Sequence, residues 1–230
     1  ASHQLRTPIT GINWNCELLL EDKNDCLSAR QRELAQEIYK GNQRMIDLVN
    51  ALLNVARLES GDLAVNLKRI NPHSLCSPII KEMEKLIKKK HLKIEEFCDQ
   101  KLKTIKADPK LFGIVFQNLI TNAVKYSYPN TTIILKSKLQ KHSVLFSVSN
   151  RGIGIPADKE DKIFTKLFRT DEAQLQDPSG TGLGLYIAKM ILEQTGGKIW
   201  FNSKKDKKTT FFVELPIAGM KSKRGNKVLI

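Results

Sequence analysis

The chain has 230 residues, 27% of them charged and 41% hydrophobic, enough for one large domain or two small ones with a true core. No apolar run approaches the roughly 18 residues of a membrane span and no signal peptide is visible; the region is expected to be soluble, with a membrane anchor only upstream of it. The net charge of +14 favours acidic partners, but no aromatic platform interleaves the Lys-rich runs at 88–90 and 221–227, which argues for solvated faces rather than nucleic-acid binding. Cys16, Cys26, Cys76 and Cys98 form no CxxC, and His73, His91 and His142 lack ligand spacing. Free thiols and structural histidines are expected there, without zinc.

The first ~60 residues read as two helices. Leu5, Ile9, Ile12, Cys16, Leu19 and Leu20 form one stripe at about 100° per residue. His3 falls opposite it, on the line of Thr7, Thr10 and Trp14, so an exposed histidine is expected. Pro8 removes one amide beside it, which would loosen the backbone next to His3. Ser28 and Gln31 form a capping box for a second helix with Leu34, Ile38, Met45, Leu48, Leu52 and Val55 in near-heptad spacing, stopped at Gly61. Two faces this wide exceed what a single hairpin can bury, so a homodimeric four-helix bundle is expected.

From Asp62 the pattern becomes α+β. "AVNLKRI" reads as a strand, "SPIIKEMEKLIKKK" as a helix, and "HLKIEEF" and "KTIKA" as strands. "DPKLFGIVFQNLITNAVKYS" is a helix capped by Asp108 with Pro109 in its first turn. "TTIILKSKL" and "SVLFSVSN" are adjacent strands. "GLGLYIAKMILEQTGG" is a helix stopped by glycines, and "KIWFNS" with "TTFFVELP" makes a hairpin. The sum is a sandwich with helices on one face of a mixed sheet.

Three stretches carry chemistry. On the 109–127 helix, Asn118, Asn122 and Lys125 lie within roughly 40° of one another, opposite Phe112, Phe116, Leu119, Ile120 and Ala123; two amides and an ammonium there suit phosphates and a hexacoordinate Mg²⁺, or else form a partly solvated polar stripe. "SVSNRGIGIP" ends a strand in Gly152 and Gly154. "PSGTGLGLYIA" places Gly180, Gly182 and Gly184 before a helix start, where amides and dipole attract phosphate. Neither a Walker loop nor a GxGxxG is present. Between the glycine segments runs a polar stretch suited to a mobile lid, with Arg169 in it.

In order, "SHQLRTPI", "QNLITNAVKYS", "SNRGIGIP", "KIFTKLFR" and "GTGLGLYIAK" resemble the H, N, first glycine, F and second glycine boxes of sensor histidine kinases. The resemblance covers residues 2 to about 216. It implies a dimerisation and phosphotransfer hairpin (1–61), a Bergerat-type ATP-binding domain (62–218) and a basic tail or linker (219–230), in the cytoplasmic part of a membrane-anchored sensor. It makes His3 the phospho-acceptor, Asn122 the Mg²⁺ ligand, Asn118 and Lys125 neighbours of the phosphates, and Tyr126 a neighbour of the nucleoside. Gly152, Gly154, Gly180, Gly182, Leu183 and Gly184 become the nucleotide-binding glycine-box residues, Arg169 the F-box arginine, and Thr7 the position that orients water in phosphatase activity. Gln4 stands where the family usually has Asp or Glu, and Asn150 where it usually has the Asp that reads adenine. The implied activity is ATP-dependent autophosphorylation of His3, transfer to an aspartate of a response-regulator receiver domain, and dephosphorylation of that regulator. The alternative is a non-catalytic docking module with a degenerate ATP site. Past the last strand, "NKVLI" leaves an apolar triplet with nothing to pack on: a frayed tail, a tail lying on the bundle, or the first strand of a following receiver domain, as in hybrid kinases.

Overall fold

A computed structural model describes residues 2–21, 27–222, 225 and 227–229, with only the backbone at 2–6. Its contacts divide the chain into two compact units, parted between Ala56 and Arg57.

The first unit is a helical hairpin. Helix α1 spans Ser2–Glu21 and runs through Pro8; α2 spans Ala29–Glu59. The expected capping box forms: Ser28 N–H donates to Gln31 Oε1 (2.8 Å) and Gln31 N–H to Ser28 Oγ (3.3 Å). Asn42 Nδ2 donates to Ile9 O (2.8 Å), Gln43 Nε2 to Asn13 Oδ1 (2.6 Å), Tyr39 OH to Glu17 Oε1 (3.1 Å) and Arg32 to Leu20 O (3.2 Å). Ile9 and Asn13 of α1 meet Asn42 and Gln43, and the later Glu17 and Leu20 meet the earlier Tyr39 and Arg32, so the helices are antiparallel. Cys16, Ala35 and Asn42 are buried between them, while Ile12, Leu19, Leu34, Ile38, Met45, Leu48 and Leu52 stay exposed. One hairpin thus leaves most of the near-heptad face uncovered, with Val55 alone of its six residues buried. Thr7, Thr10 and Trp14 are exposed; His3 and Gln4 lie on α1, but their side chains, that of Leu5, and all of Cys26 fall outside the described residues.

In the second unit, β1 (Lys68–Ile70) pairs antiparallel with β3 (Ile105–Ala107) in a two-stranded sheet. The main sheet runs β2 (Lys93–Cys98), β4 (Thr132–Leu139), β5 (Ser143–Arg151), β7 (Lys208–Pro216), β6 (Lys198–Lys204). It is mixed: β2 is parallel to β4 and the other pairings are antiparallel. Leu135, Val148, Phe211 and Phe201 stand in one row across it, on the face covered by α5 (Pro109–Tyr126) and α7 (Gly184–Thr195). Phe112, Phe116 and Phe146 meet edge to face, with centroids 4.7–5.5 Å apart, a packing preferred by ring quadrupoles. α7 ends where Gly196 turns left-handed (φ 83°), as the glycine stop requires.

Four expectations are corrected. The "AVNLKRI" strand shrinks to β1 in a separate sheet, because the backbone before it is committed elsewhere: Ala64 N–H donates to Lys227 O (2.8 Å) and Asn66 N–H to Asp108 Oδ2 (2.7 Å). The helix expected over 77–90 is two, α3 (Cys76–Glu82) and α4 (Glu84–Lys89), parted at Met83 (φ −88°, ψ 3°). No Gly or Pro marks that break. Lys90 is not a solvated charge: its Nζ donates to Val124 O (3.1 Å), Lys125 O (2.5 Å) and Ser127 O (3.0 Å), capping the C-terminus of α5. Desolvation there holds its pKa below the usual lysine value. Finally, the tail has somewhere to pack. Leu229 is fully buried, Lys227 pairs in parallel with Leu63, and Arg57 donates to Val228 O.

Asp108 joins these parts. Its Oδ1 accepts from Lys110 N (2.9 Å) and Leu111 N (3.1 Å) while Oδ2 takes Asn66 N. Asp108→Ala should cost about 2–3 kcal/mol in urea unfolding, one part lost cap and one part an unpaired amide. Asp108→Asn should cost less, since the cap survives. A change within ~0.5 kcal/mol for the alanine variant, the range of ordinary surface substitutions, would contradict this.

Candidate functional site

Helix α5 is two-faced. Its aromatic side is buried in the sheet, and its other side puts Asn118, Thr121, Asn122, Lys125 and Tyr126 along an open cleft. Asn118 Nδ2 donates to Ile114 O (2.8 Å), which turns Oδ1 toward α7. There the backbone comes so close that a Cβ on Gly184 would lie 2.1 Å from Asn118 Oδ1. A side chain at 184 would therefore have to displace the Asn118 amide. The first N–H groups of α7 have no intrahelical partner, and Gly184 and Leu185 line the cleft.

The sheet supplies the far wall. Asn150, 7% exposed, is the penultimate residue of β5, in register with Thr209 of β7, and both line the cleft beside Ile153, Gly154 and Ile155. Gly152 is not on the lining. It bridges Ser127, and a Cβ there would sit 1.8 Å from Tyr126 O, so its bareness lets β5 pass the end of α5. Leu183 is also off the lining, fully buried in the core, with its N–H donated to Thr181 Oγ1 (3.3 Å).

The segment between the glycine stretches closes the third side and carries the short helix α6 (Asp171–Gln176). Arg169 lines the cleft with Gly180 and Gly182, yet its guanidinium is turned into its own segment. It donates to Gly180 O (2.9 Å), Ala173 O (2.6 Å) and Asp177 O. Lys125 Nζ lies 2.9 Å from Asp177 Oδ2. Burial raises the Asp177 carboxyl, but bonds from Ser179 and the Lys125 ammonium outweigh it and leave the pKa below the usual value. This clasp is therefore strongest above the ordinary carboxylate range and weakens as pH falls through the lowered pKa.

Amide oxygens, an ammonium and a bare helix N-terminus, walled by apolar Ile163 and Phe211, suit a ligand with a flat apolar part and an anionic, oxygen-rich end. Asp177, Thr209 and Lys90 escaped the sequence reading. Asp177 and Lys90 act through partners far away in the chain, Thr209 reaches the cleft through its register with Asn150, and only the "DPS" turn around Asp177 offered a local hint.

Residues 107–219 match the family of histidine kinase-, DNA gyrase B- and HSP90-like ATPases, and residues 1–61 the His Kinase A (phospho-acceptor) domain. The chain belongs to the sensor histidine kinases. Its ATPase-family portion implies ATP binding. Among similar sensor kinases are the circadian input-output histidine kinase CikA of Synechococcus elongatus, 32% identical over 94% of this chain and 29% of that protein, and the sensor protein kinase WalK of Staphylococcus haemolyticus, 34% identical over 94% and 35%. The chain thus spans about a third of the length of these relatives. Full-length ShkA, solved with AMPPNP, superposes with TM-score 0.81 at 26% identity over 97% of this chain and 46% of that one. The ThkA complex with response regulator protein TrrA shares the fold, with TM-score 0.65 at 24% identity over 94% and 59%. Among the described residues no helix is long and apolar enough to cross a membrane.

If Arg169 holds its segment together, Arg169→Ala should speed hydrogen exchange of the amides at 173–183 by about 10–100-fold without nucleotide, the equivalent of one or two charge-assisted bonds. Unchanged exchange would mean that these bonds do not order the segment.

Proposed function

We propose that this chain is the catalytic part of a two-component histidine kinase, in which His3 attacks the γ-phosphoryl group of ATP and then passes that group to an aspartate of a response-regulator receiver. The observation that carries this reading is that Asn118, Asn122 and Lys125 line one cleft together with Gly184 and Leu185 at the N-terminus of α7 and with Asn150 of the sheet. The donor set fits Mg·ATP. Asn122 offers a neutral oxygen to Mg²⁺, Lys125 and the α7 amides balance phosphate charge, and Asn150 faces the base. When bound, Mg·ATP supplies the phosphoryl group. Lys125 must first exchange Asp177 for phosphate oxygens, and Arg169 must leave its carbonyls to reach them. His3, followed by Gln4, is the nucleophile, and no carboxylate adjoins it in sequence; Thr7, one turn on, is our candidate to orient the water that hydrolyses the regulator's aspartyl phosphate in the separate phosphatase reaction. The uncovered near-heptad face of the hairpin supports a homodimer. We take residues 1–61 as the phosphotransfer region, 62–218 as the ATP-binding domain and 219–230 as a basic tail, with the stimulus sensed by a membrane-anchored region of the whole protein. The receiver partner is carried over from ThkA, whose structure is a complex with a response regulator protein.

Incubation with γ-labelled ATP should give acid-labile, alkali-stable label. His3→Ala should abolish it with nucleotide affinity near normal, while Asn122→Ala should lose both. Label in the His3 variant would place the acceptor elsewhere, and a parent chain that binds no Mg·ATP would favour the non-catalytic docking module.

Asn150 offers the base a neutral amide, which can accept from adenine or donate to guanine. Asn150→Asp should tighten ATP by about 1 kcal/mol, roughly five-fold, and sharpen discrimination against GTP. Competition titrations decide it; equal selectivity in both forms would contradict the placement of Asn150 at the base.

A further inference from the structure

Away from the cleft, at the β2 edge of the main sheet, three side chains with metal-ligating atoms meet. Glu96 and Cys98 stand two apart on β2 and so share one side of that strand. His73 comes from the 3-10 turn Pro72–Leu75, 25 residues earlier. Its Nδ1 lies 2.9 Å from Cys98 Sγ, and one ligand atom from each residue falls within 4.8 Å of the others.

The imidazole is oriented from behind. Its Nε2 lies 3.0 Å from Oγ of Ser137 on β4, and Ser137 is itself buried. With Nε2–H donated to that hydroxyl, Nδ1 is left with a free lone pair aimed at Sγ. A metal-bound histidine whose second nitrogen is fixed by a hydrogen bond is the usual arrangement at protein metal sites. Burial holds His73 below the ordinary histidine pKa, against the raising effect of the Glu96 charge.

We propose that His73 Nδ1, Glu96 and Cys98 Sγ form a site for one zinc-class divalent cation, with the fourth position left to water. A nitrogen, sulfur and carboxylate oxygen together select a borderline metal such as Zn²⁺ or Co²⁺ over Mg²⁺ or Ca²⁺. Tetrahedral bond lengths require an N···S separation of about 3.5 Å, so the 2.9 Å contact has to open by only a fraction of an ångström, which a side-chain rotation at an exposed edge strand can supply. Binding replaces the thiol proton: the Cys98 S–H bond breaks, an S–metal bond forms and one proton leaves to solvent. Thiolate and carboxylate then balance the charge of the cation. A redox-active cysteine is the competing reading, but partial burial, and then the neighbouring Glu96 charge, disfavour the free thiolate that such chemistry needs, whereas the carboxylate favours a cation. None of these residues lines the cleft. A bound ion would pin the 3-10 turn to β2.

The test uses the 230-residue chain, stripped of metal, free of nucleotide and kept reduced by a phosphine. Titration with Co²⁺ should saturate at one equivalent, with a thiolate-to-cobalt charge-transfer band and tetrahedral ligand-field bands, and Zn²⁺ should displace it. Cys98→Ser should lose the charge-transfer band, whereas Cys16→Ser, Cys26→Ser and Cys76→Ser should keep it. Glu96→Gln, an exposed change that leaves the fold intact, should weaken Co²⁺ at least ten-fold, and Ser137→Ala by about 10–100-fold. Absence of a thiolate band at one equivalent, its survival in Cys98→Ser, or unchanged affinity in Glu96→Gln would each overturn the site.

Discussion

The second unit depends on one helix meeting two incompatible environments. On one side α5 buries Phe112, Val115, Phe116, Leu119 and Ile120 against the sheet, which fixes its rotation. The same rotation then forces Asn118, Asn122 and Lys125 out to the cleft, since residues at i, i+4 and i+7 cannot leave one face. The ends are pinned as tightly as the middle. Asp108 holds the first turn and Lys90 the last carbonyls, so the amides that face the cleft are carried on an element with little freedom to move. Preorganisation of this kind is what a phosphate-handling site needs.

Against that fixed wall stands a segment held largely by its own bonds. Arg169 gathers three carbonyls, Thr170 caps α6 by accepting from Ala173 N–H (3.2 Å), and Asp177 reaches across to Lys125. The two cations assigned to phosphate are therefore both engaged with protein oxygens. Those contacts give the segment a defined arrangement, and they also set a free-energy cost that a polyphosphate has to meet before either cation turns to it.

The glycine stretches work in a way that composition alone does not convey. Gly152 and Gly184 are bare because protein atoms press on them, Tyr126 O on one and Asn118 Oδ1 on the other. Their first task is to let β5 and α7 close on α5. The proximity of the α7 amides to the cleft follows from that packing.

Much of this was legible in the chain, because it is local. The two helices with their capping box, the Asp108 cap, the two faces of α5, the glycine stop at Gly196 and each of the five boxes taken singly depend on residues within a few positions of one another, where backbone geometry fixes what neighbours do. Tertiary structure alone decided the rest. The shortness of β1, the docking of Leu229, the triple cap by Lys90, the Lys125–Asp177 pair and the convergence of His73 on Cys98 each join residues 25 or more apart, or depend on such a contact. The break at Met83 has no local marker either. Periodicity carries no information about which distant backbone carbonyl or side chain a residue will meet; that is settled only when burial of the apolar faces brings the segments together.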